Sequence, residues 1–290
     1  MRLSFNNQSV GYLFLLPAIL LVLVVAFYPI FLSVYYSVHE TYYMNIGEFV
    51  GLGNYLELLK SEQFIKNLIN SLKYVIGSLL LTIPMSLLLA LLLNSGENRK
   101  MLYFLRSIML IPWVISQTVT GLLWVWILDP KFGPVNYITR TLFNEQISFL
   151  ASPDLAMWVL IVANTWMSYP LATVLILAAL QMVPPELYEA VEIDGGNAWT
   201  KFRSVTYPFI ANSLSVTFIM LTVHFFNMVT LIYVMTGGGP LQMTEVMSLR
   251  IYLEAFEYQR LALASTVGTV SLILNILFAI SYTKLLRNDF

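Results

Sequence analysis

The stretch EAVEIDGGNAWTKFRSVTYP, Glu189 to Pro208, decides the reading of the fold. It gathers Glu189, Glu192, Asp194, Lys201 and Arg203 in a chain that is only 11% charged. The flanking tracts, between Asp154 and Glu186 and between Arg203 and Glu245, carry no charge at all. A very apolar chain that concentrates its polarity in one short segment places that segment in water and its flanks in another solvent.

The rest of the chain agrees. It has 290 residues, 58% of them hydrophobic, and a mean hydropathy of +0.75. Soluble domains have about 45–50% apolar and about 25% charged residues. A charge at mid-bilayer costs about 2.5–3.5 kcal/mol even on the lenient insertion scale, and a spanning helix needs about 20 apolar residues. Six charge-free windows are that long: Arg2 to Glu40, Lys73 to Glu97, Arg106 to Asp129, Asp154 to Glu186, Arg203 to Glu245 and Arg260 to Lys284. None shows strand-type alternation, and all exceed the length of barrel strands. The fold expected is an all-α membrane protein, one domain over 1–290, with six transmembrane helices near 11–38, 72–93, 107–128, 155–180, 208–235 and 262–283. The apolar run from Tyr12 to Val38 exceeds the roughly 7–15 residues of a signal-peptide core, so the first span is expected to remain uncleaved.

Lys and Arg in short loops set orientation. The N-terminus, 96–106, 186–207 and the C-terminus carry eight of them, against six in 39–66, 129–154 and 237–260, and the first set is shorter. Both termini and the opening segment are therefore expected in the cytoplasm. Net charge is −1, which gives no basic field for nucleic acid. There are no cysteines, hence no disulfide, thiolate nucleophile or thiolate metal site. P-loop, HExxH and GxSxG motifs are absent, and no acid shares a span with His39 or His224. No metal site and no catalytic residues are expected.

Within 185–207, Pro184 and Pro185 suit the start of a helix, and Glu186 suits the positive end of its dipole. Asp194, Gly195 and Gly196 predict a break, Asn197 a cap, and Pro208 the opening of the fifth span. Trp199, Phe202 and Val205 or Thr206 share one face. Residues alone leave two readings open: a hairpin that docks a soluble partner, or an amphipathic hairpin resting on the interface.

The same residues resemble the EAA loop of ABC-importer permeases. That pattern runs Glu-Ala-Ala, three residues, Gly, nine residues, Ile, one residue, Leu-Pro. Glu189, Ala190 and Val191 fill the first places, Gly195 the glycine, Val205 the Ile position and Tyr207-Pro208 the close. The likeness extends through FVGLGNYLELL, RSIMLIPWVISQTVTGLLWVWILDPKFGPVNYI, NTWMSYP and TGGGP, which are similar to MalF-like carbohydrate permeases. It implies the transmembrane domain of a type I ABC importer, moving a sugar, oligosaccharide or related polyol or glycoside inward by alternating access. It implies Glu189, Ala190, Asp194 and Gly195 in coupling helices that dock an ATPase, with Trp199 and Phe202 anchoring them on the membrane domain. Expected partners are a second six-helix permease, most simply a heterodimer, two ATPase subunits and an extracytoplasmic solute-binding protein. The resemblance also implies that this chain binds no cofactor and is not itself an enzyme, because ATP and Mg belong to the ATPase, and that it resides in a bacterial or archaeal cell membrane.

Polar residues inside spans mark cavities or helix contacts. Ser116, Gln117, Thr118, Asn164, Ser168, His224, Asn227, Thr230 and Asn275 are such residues. Amides, hydroxyls and aromatic faces are what bind sugars. The resemblance adds Met167, Ser168 and Leu171 beside the proline of the fourth span, and Leu221, His224, Phe225, Met228 and Thr230 before TGGGP. The alternative from another class is an ion-coupled secondary transporter. It needs titratable groups at the midplane, and the charge-free spans supply none.

Overall fold

The structure, a computed structural model, describes residues 7–42, 45–95 and 99–287. The first helix starts with α1 (Asn7–Val22), passes through a π turn (Leu23–Phe27) and continues as α2 (Tyr28–Ser37). An antiparallel pair, β1 (His39–Tyr42) and β2 (Asn45–Phe49), follows in the register His39 to Phe49 and Tyr42 to Asn45. Next come α3 (Gly53–Lys60), α4 (Glu62–Ser95), α5 (Arg99–Met109), α6 (Ile111–Val114), α7 (Gln117–Ile127), α8 (Pro134–Phe143) and α9 (Ala156–Leu180). The polar segment forms α10 (Pro185–Ile193), α11 (Ala198–Lys201) and a π turn (Phe202–Thr206) that runs into α12 (Tyr207–Phe226). The chain closes with α13 (Thr230–Thr236), α14 (Met247–Tyr252), a third π turn (Leu253–Glu257) and α15 (Leu261–Arg287).

Five helices among the described residues are long and apolar enough to cross a membrane: Phe14–Ser37, Glu62–Ser95, Ala156–Leu180, Ala198–Phe226 and Leu261–Tyr282. The third expected span is not one helix. It is a broken pair, Lys100–Val114 and Gln117–Ile127, bent by 95°, and it makes a sixth crossing if taken as one span. The fifth expected span, 208–235, also breaks, between Phe226 and Thr230. Pro208 lies in the first turn of α12, which continues without interruption the helix that begins at Ala198. The two π turns before prolines have a common cause. A proline has no N–H for the carbonyl four residues back, and its ring crowds that carbonyl. Widening the preceding turn moves the carbonyl aside. Tyr28 N–H bonds to Leu23 O just before Pro29, and Tyr207 N–H bonds to Phe202 O just before Pro208.

The chain divides into two compact units. The first holds the described residues up to Ser61 together with Ile251–Leu272. It contains the β hairpin, two short strands of four and five residues in a fold that is otherwise helical. Here the Asn54 amide donates to Ser37 O and His39 O, each at 2.9 Å, and Ala262 N–H donates to Thr41 Oγ1 at 2.8 Å. The second unit, Glu62–Arg250 with the end of the chain from Ile273, is built on α4 against α9. Tyr74, Ser78, Thr82, Ser86 and Ala90 repeat every fourth residue along the buried face of α4. Lipid tails are as apolar as leucine, so helices in a bilayer associate through close packing of small residues and through hydrogen bonds. Both occur here. Gly77 admits Ile161, whose Cδ1 would lie 2.6 Å from an added Cβ, and Ser86 Oγ donates to Tyr169 O at 3.1 Å.

Candidate functional site

The break between α6 and α7 lines a cavity. Pro112 removes a backbone donor inside α6, and Ile115 and Ser116 are extended, with ψ of 135° and 151°. Ser116 Oγ then accepts from Val119 N–H at 3.3 Å and restarts the helix as its N-cap. Irregular backbone at membrane depth persists only where it is buried in protein or lines a wet cavity. Trp113 to Gln117 form one wall of a cavity of about 360 Å³. The second wall is Met167, Ser168 and Leu171 of α9, and the third is Met220, Leu221 and His224 of α12. The polar groups that reach it are hydroxyls, a carboxamide, an imidazole and an indole, and no charged side chain lines it.

Of the residues expected along a solute path, Gln117, Met167, Ser168, Leu171, Leu221 and His224 come together here. The others do not line the cavity. Asn164 is fully buried one turn below Ser168, whose Oγ donates to its Oδ1 at 3.4 Å. It orients the hydroxyl and does not line the cavity. Phe225 and Met228 are 1% and 2% exposed and belong to the core. The Asn227 amide donates to Val223 O at 2.7 Å, closing the end of α12, and Thr230 opens α13. For Asn227, Met228 and Thr230 the cause is shared: the helix stops at Phe226, so the 3.6-residue phase that would bring 227–230 round to the cavity is lost. Sequence reasoning passed over Trp113, Val114, Ile115 and Met220. The signal for the first three was the Pro112–Ser116 spacing, a helix breaker followed by a cap.

The polar hairpin is a second candidate site. Asn197 Oδ1 accepts from Thr200 N–H at 3.0 Å, capping α11 as its residue type predicts. Gly195 holds φ +75°, a left-handed conformation that a side chain disfavours. Gly196 N–H donates to Val191 O at 2.8 Å, and the Lys201 ammonium pairs with the Glu192 carboxylate across the turn. No residue of α10 is buried, and Ile193 is 86% exposed. Trp199 is a correction. It is 66% exposed and stacks on Phe202 with ring centroids 5.6 Å apart. The π turn shifts the helix phase, so Val205 and Thr206 are buried in place of Trp199, and Tyr188 OH meets Thr206 Oγ1 at 3.1 Å.

The TGGGP segment is tied to α4 by a buried polar network. Gly237 and Gly238 have φ of +57° and +91°, and Thr244 Oγ1 donates to Gly239 O at 2.6 Å. Asn70 of α4 donates to Gln242 O and Glu245 O, and Asn67 to the Glu245 carboxylate at 3.0 Å. Arg250 pairs with that carboxylate at 3.2 Å. Glu245 is buried only because these partners neutralise and solvate it. Among the described residues, no three His, Cys, Asp or Glu side chains cluster as metal ligands do.

The described residues thus combine long apolar helices, a cavity at a helix break and an exposed polar hairpin. The chain belongs to the family of binding-protein-dependent transport system inner membrane components, which matches residues 74–288. It is 32% identical to the trehalose/maltose transport system permease protein MalF of Thermococcus litoralis, over 99% of this chain and 96% of that one. It is 30% identical to the sn-glycerol-3-phosphate transport system permease protein UgpA of Agrobacterium fabrum, over 87% of this chain and 86% of that one. In fold it is similar to a chain of a bacterial ABC transporter that imports the acidic polysaccharide alginate, with a TM-score of 0.84 and 24% identity over 96% and 95% of the two chains. A multi-pass permease of the ABC-importer type is therefore its class.

Proposed function

We propose that this permease carries a neutral carbohydrate into the cytoplasm, and that the cavity at the α6–α7 break is part of its path. The observation that supports this is the lining: hydroxyl, amide, imidazole and indole groups with no lysine, arginine or carboxylate. An anionic solute entering a low-dielectric cavity needs a fixed cation, whereas a polyol needs neutral donors, acceptors and an aromatic face. Relatives named for trehalose and maltose agree with that chemistry better than one named for a glycerol phosphate. In this reading a second permease completes the path, two ATPase subunits dock on Glu189, Ala190, Asp194 and Gly195, and a solute-binding protein docks on the opposite face. A solved relative with a periplasmic protein bound supports that last partner. ATP closes the ATPase pair, and the hairpin passes the motion to α12, with which it shares a continuous helix. Solute access then alternates between the two faces. Termini in the cytoplasm follow from the hairpin's side.

The test is uptake of radiolabelled trehalose, maltose and glycerol 3-phosphate by proteoliposomes holding the complete transporter. Disaccharide uptake that falls at least tenfold in Gln117→Ala and His224→Ala, with ATPase assembly intact, is expected. Preference for the phosphate ester in the wild type would refute the neutral-solute reading.

A further inference from the structure

Two cavities flank a single ridge of α4, both within the second unit. The larger, about 540 Å³, is lined by Lys73, Asp154 and Trp158 along with apolar side chains. The smaller, about 300 Å³, is bounded by Pro84, Phe218, Phe278 and Tyr282. They share Leu72, Ile76 and Leu80, spaced at four residues along the helix. Ile76, Leu80 and Trp158 are 53%, 67% and 60% exposed, so the ridge faces outward and not into the core.

The position of Lys73 along α4 fixes its depth. Twenty residues separate it from Leu93, which at 1.5 Å each is about 30 Å, the thickness of the hydrocarbon layer. Lys73 therefore stands at one boundary of that layer, where an ammonium on a long stem meets headgroups. Trp158 fits the same level, where indoles are favoured. Asp154, in the loop just before α9, reaches the same cavity. Among the described residues, neither Lys73 nor Asp154 forms an ion pair, although both line one cavity. From Lys73 to Pro84 is eleven residues, about 16 Å along the helix, or half the hydrocarbon layer. The two grooves thus have the length of one leaflet's acyl chains.

We propose that this place binds one diacyl phospholipid with an ethanolamine headgroup. Lys73 takes the phosphate, Asp154 takes the primary ammonium, and the two acyl chains lie on either side of the Leu72–Ile76–Leu80 ridge. The paired signs select this occupant. An anionic headgroup would satisfy Lys73 and meet the Asp154 carboxylate. A choline headgroup has the right charges but no N–H to donate. An apolar helix of another subunit would bury both charges without partners, at several kcal/mol.

The experiment is lipid retention by the complete purified transporter in nanodiscs of equal parts phosphatidylethanolamine, phosphatidylcholine and phosphatidylglycerol, read by native mass spectrometry. Phosphatidylethanolamine should be retained at least fivefold over the other two. Lys73→Ala should abolish retention, Lys73→Arg should keep it, and Asp154→Asn should erase the preference over phosphatidylcholine. Equal retention of the three lipids by the wild type, dominance of phosphatidylglycerol, or undiminished binding in Lys73→Ala would overturn the proposal. A photoreactive residue in place of Trp158 should label lipid, and labelling of another subunit instead would also overturn it.

Discussion

Adjacent glycines in the hairpin are predicted to fail for different reasons. Gly195 has nothing within 4 Å of an added Cβ, but its φ is +75°. Gly195→Ala therefore carries only the left-handed backbone cost, about 1–2 kcal/mol. At Gly196 the backbone is ordinary and the space is not. An added Cβ lies 2.4 Å from Val191 Cγ1 and 2.9 Å from Val191 O, the acceptor of its own N–H. Relieving that contact opens the hydrogen bond, about 1 kcal/mol, and overpacks the turn, about 1–3 kcal/mol. The sum is about 2–4 kcal/mol, and each 1.4 kcal/mol is about tenfold in affinity for a partner that needs this conformation. The assay is ATPase activity and uptake in reconstituted transporter. The centres of the two ranges differ by about 1.5 kcal/mol, so Gly196→Ala should lose about tenfold more than Gly195→Ala. Val191→Ala should recover part of the Gly196→Ala loss and none of the Gly195→Ala loss, and it restores the alanine that the EAA pattern carries there. Wild-type activity in Gly196→Ala, or equal recovery in both backgrounds, would refute the steric argument.

Three further outcomes are expected. Arg250→Ala leaves the buried Glu245 carboxylate without its guanidinium, so it should destabilise the detergent-solubilised protein by about 3–5 kcal/mol, and Glu245→Gln in the same background should recover most of the lost melting temperature. Ser116→Ala removes the side-chain acceptor that restarts α7, a loss of about 1 kcal/mol, and should show as faster amide exchange at Val119 with little change elsewhere. Asp129 accepts from Phe132 N–H at 2.7 Å and Lys131 N–H at 2.9 Å, which holds its carboxyl below the usual range. Its contribution is complete above the unfolded value of about 3.9 and disappears as pH falls through the lower folded value. Amide exchange at Phe132 should accelerate only in that acid window, and Asp129→Asn should remove the pH dependence.

What the sequence determined by itself was everything set by solvent. Charge-free windows mark which segments leave water, because a charge at mid-bilayer is costly wherever the helix sits. The polar hairpin, its break at Asp194–Gly196 and its Asn197 cap are local events, written in residues that act on their nearest neighbours. So is the list of polar groups near the cavity, of which Gln117, Ser168 and His224 were readable in advance. Tertiary structure decided what depends on phase and contact. Of the face expected to carry Trp199, Phe202 and Val205 or Thr206, a single π turn kept Val205 and Thr206 buried and left Trp199 exposed. The stop at Phe226 turned Asn227 into a helix end and left Met228 in the core, while Phe225 is buried on the packed face of α12 itself. The 95° bend that opens the cavity arises where Pro112 and Ser116 act together. Glu245 reads as an ordinary loop carboxylate until Asn67, 178 positions earlier in the chain, is brought against it beside the nearby Arg250. Burial of a charge is a property of its neighbours, and only the folded chain supplies them.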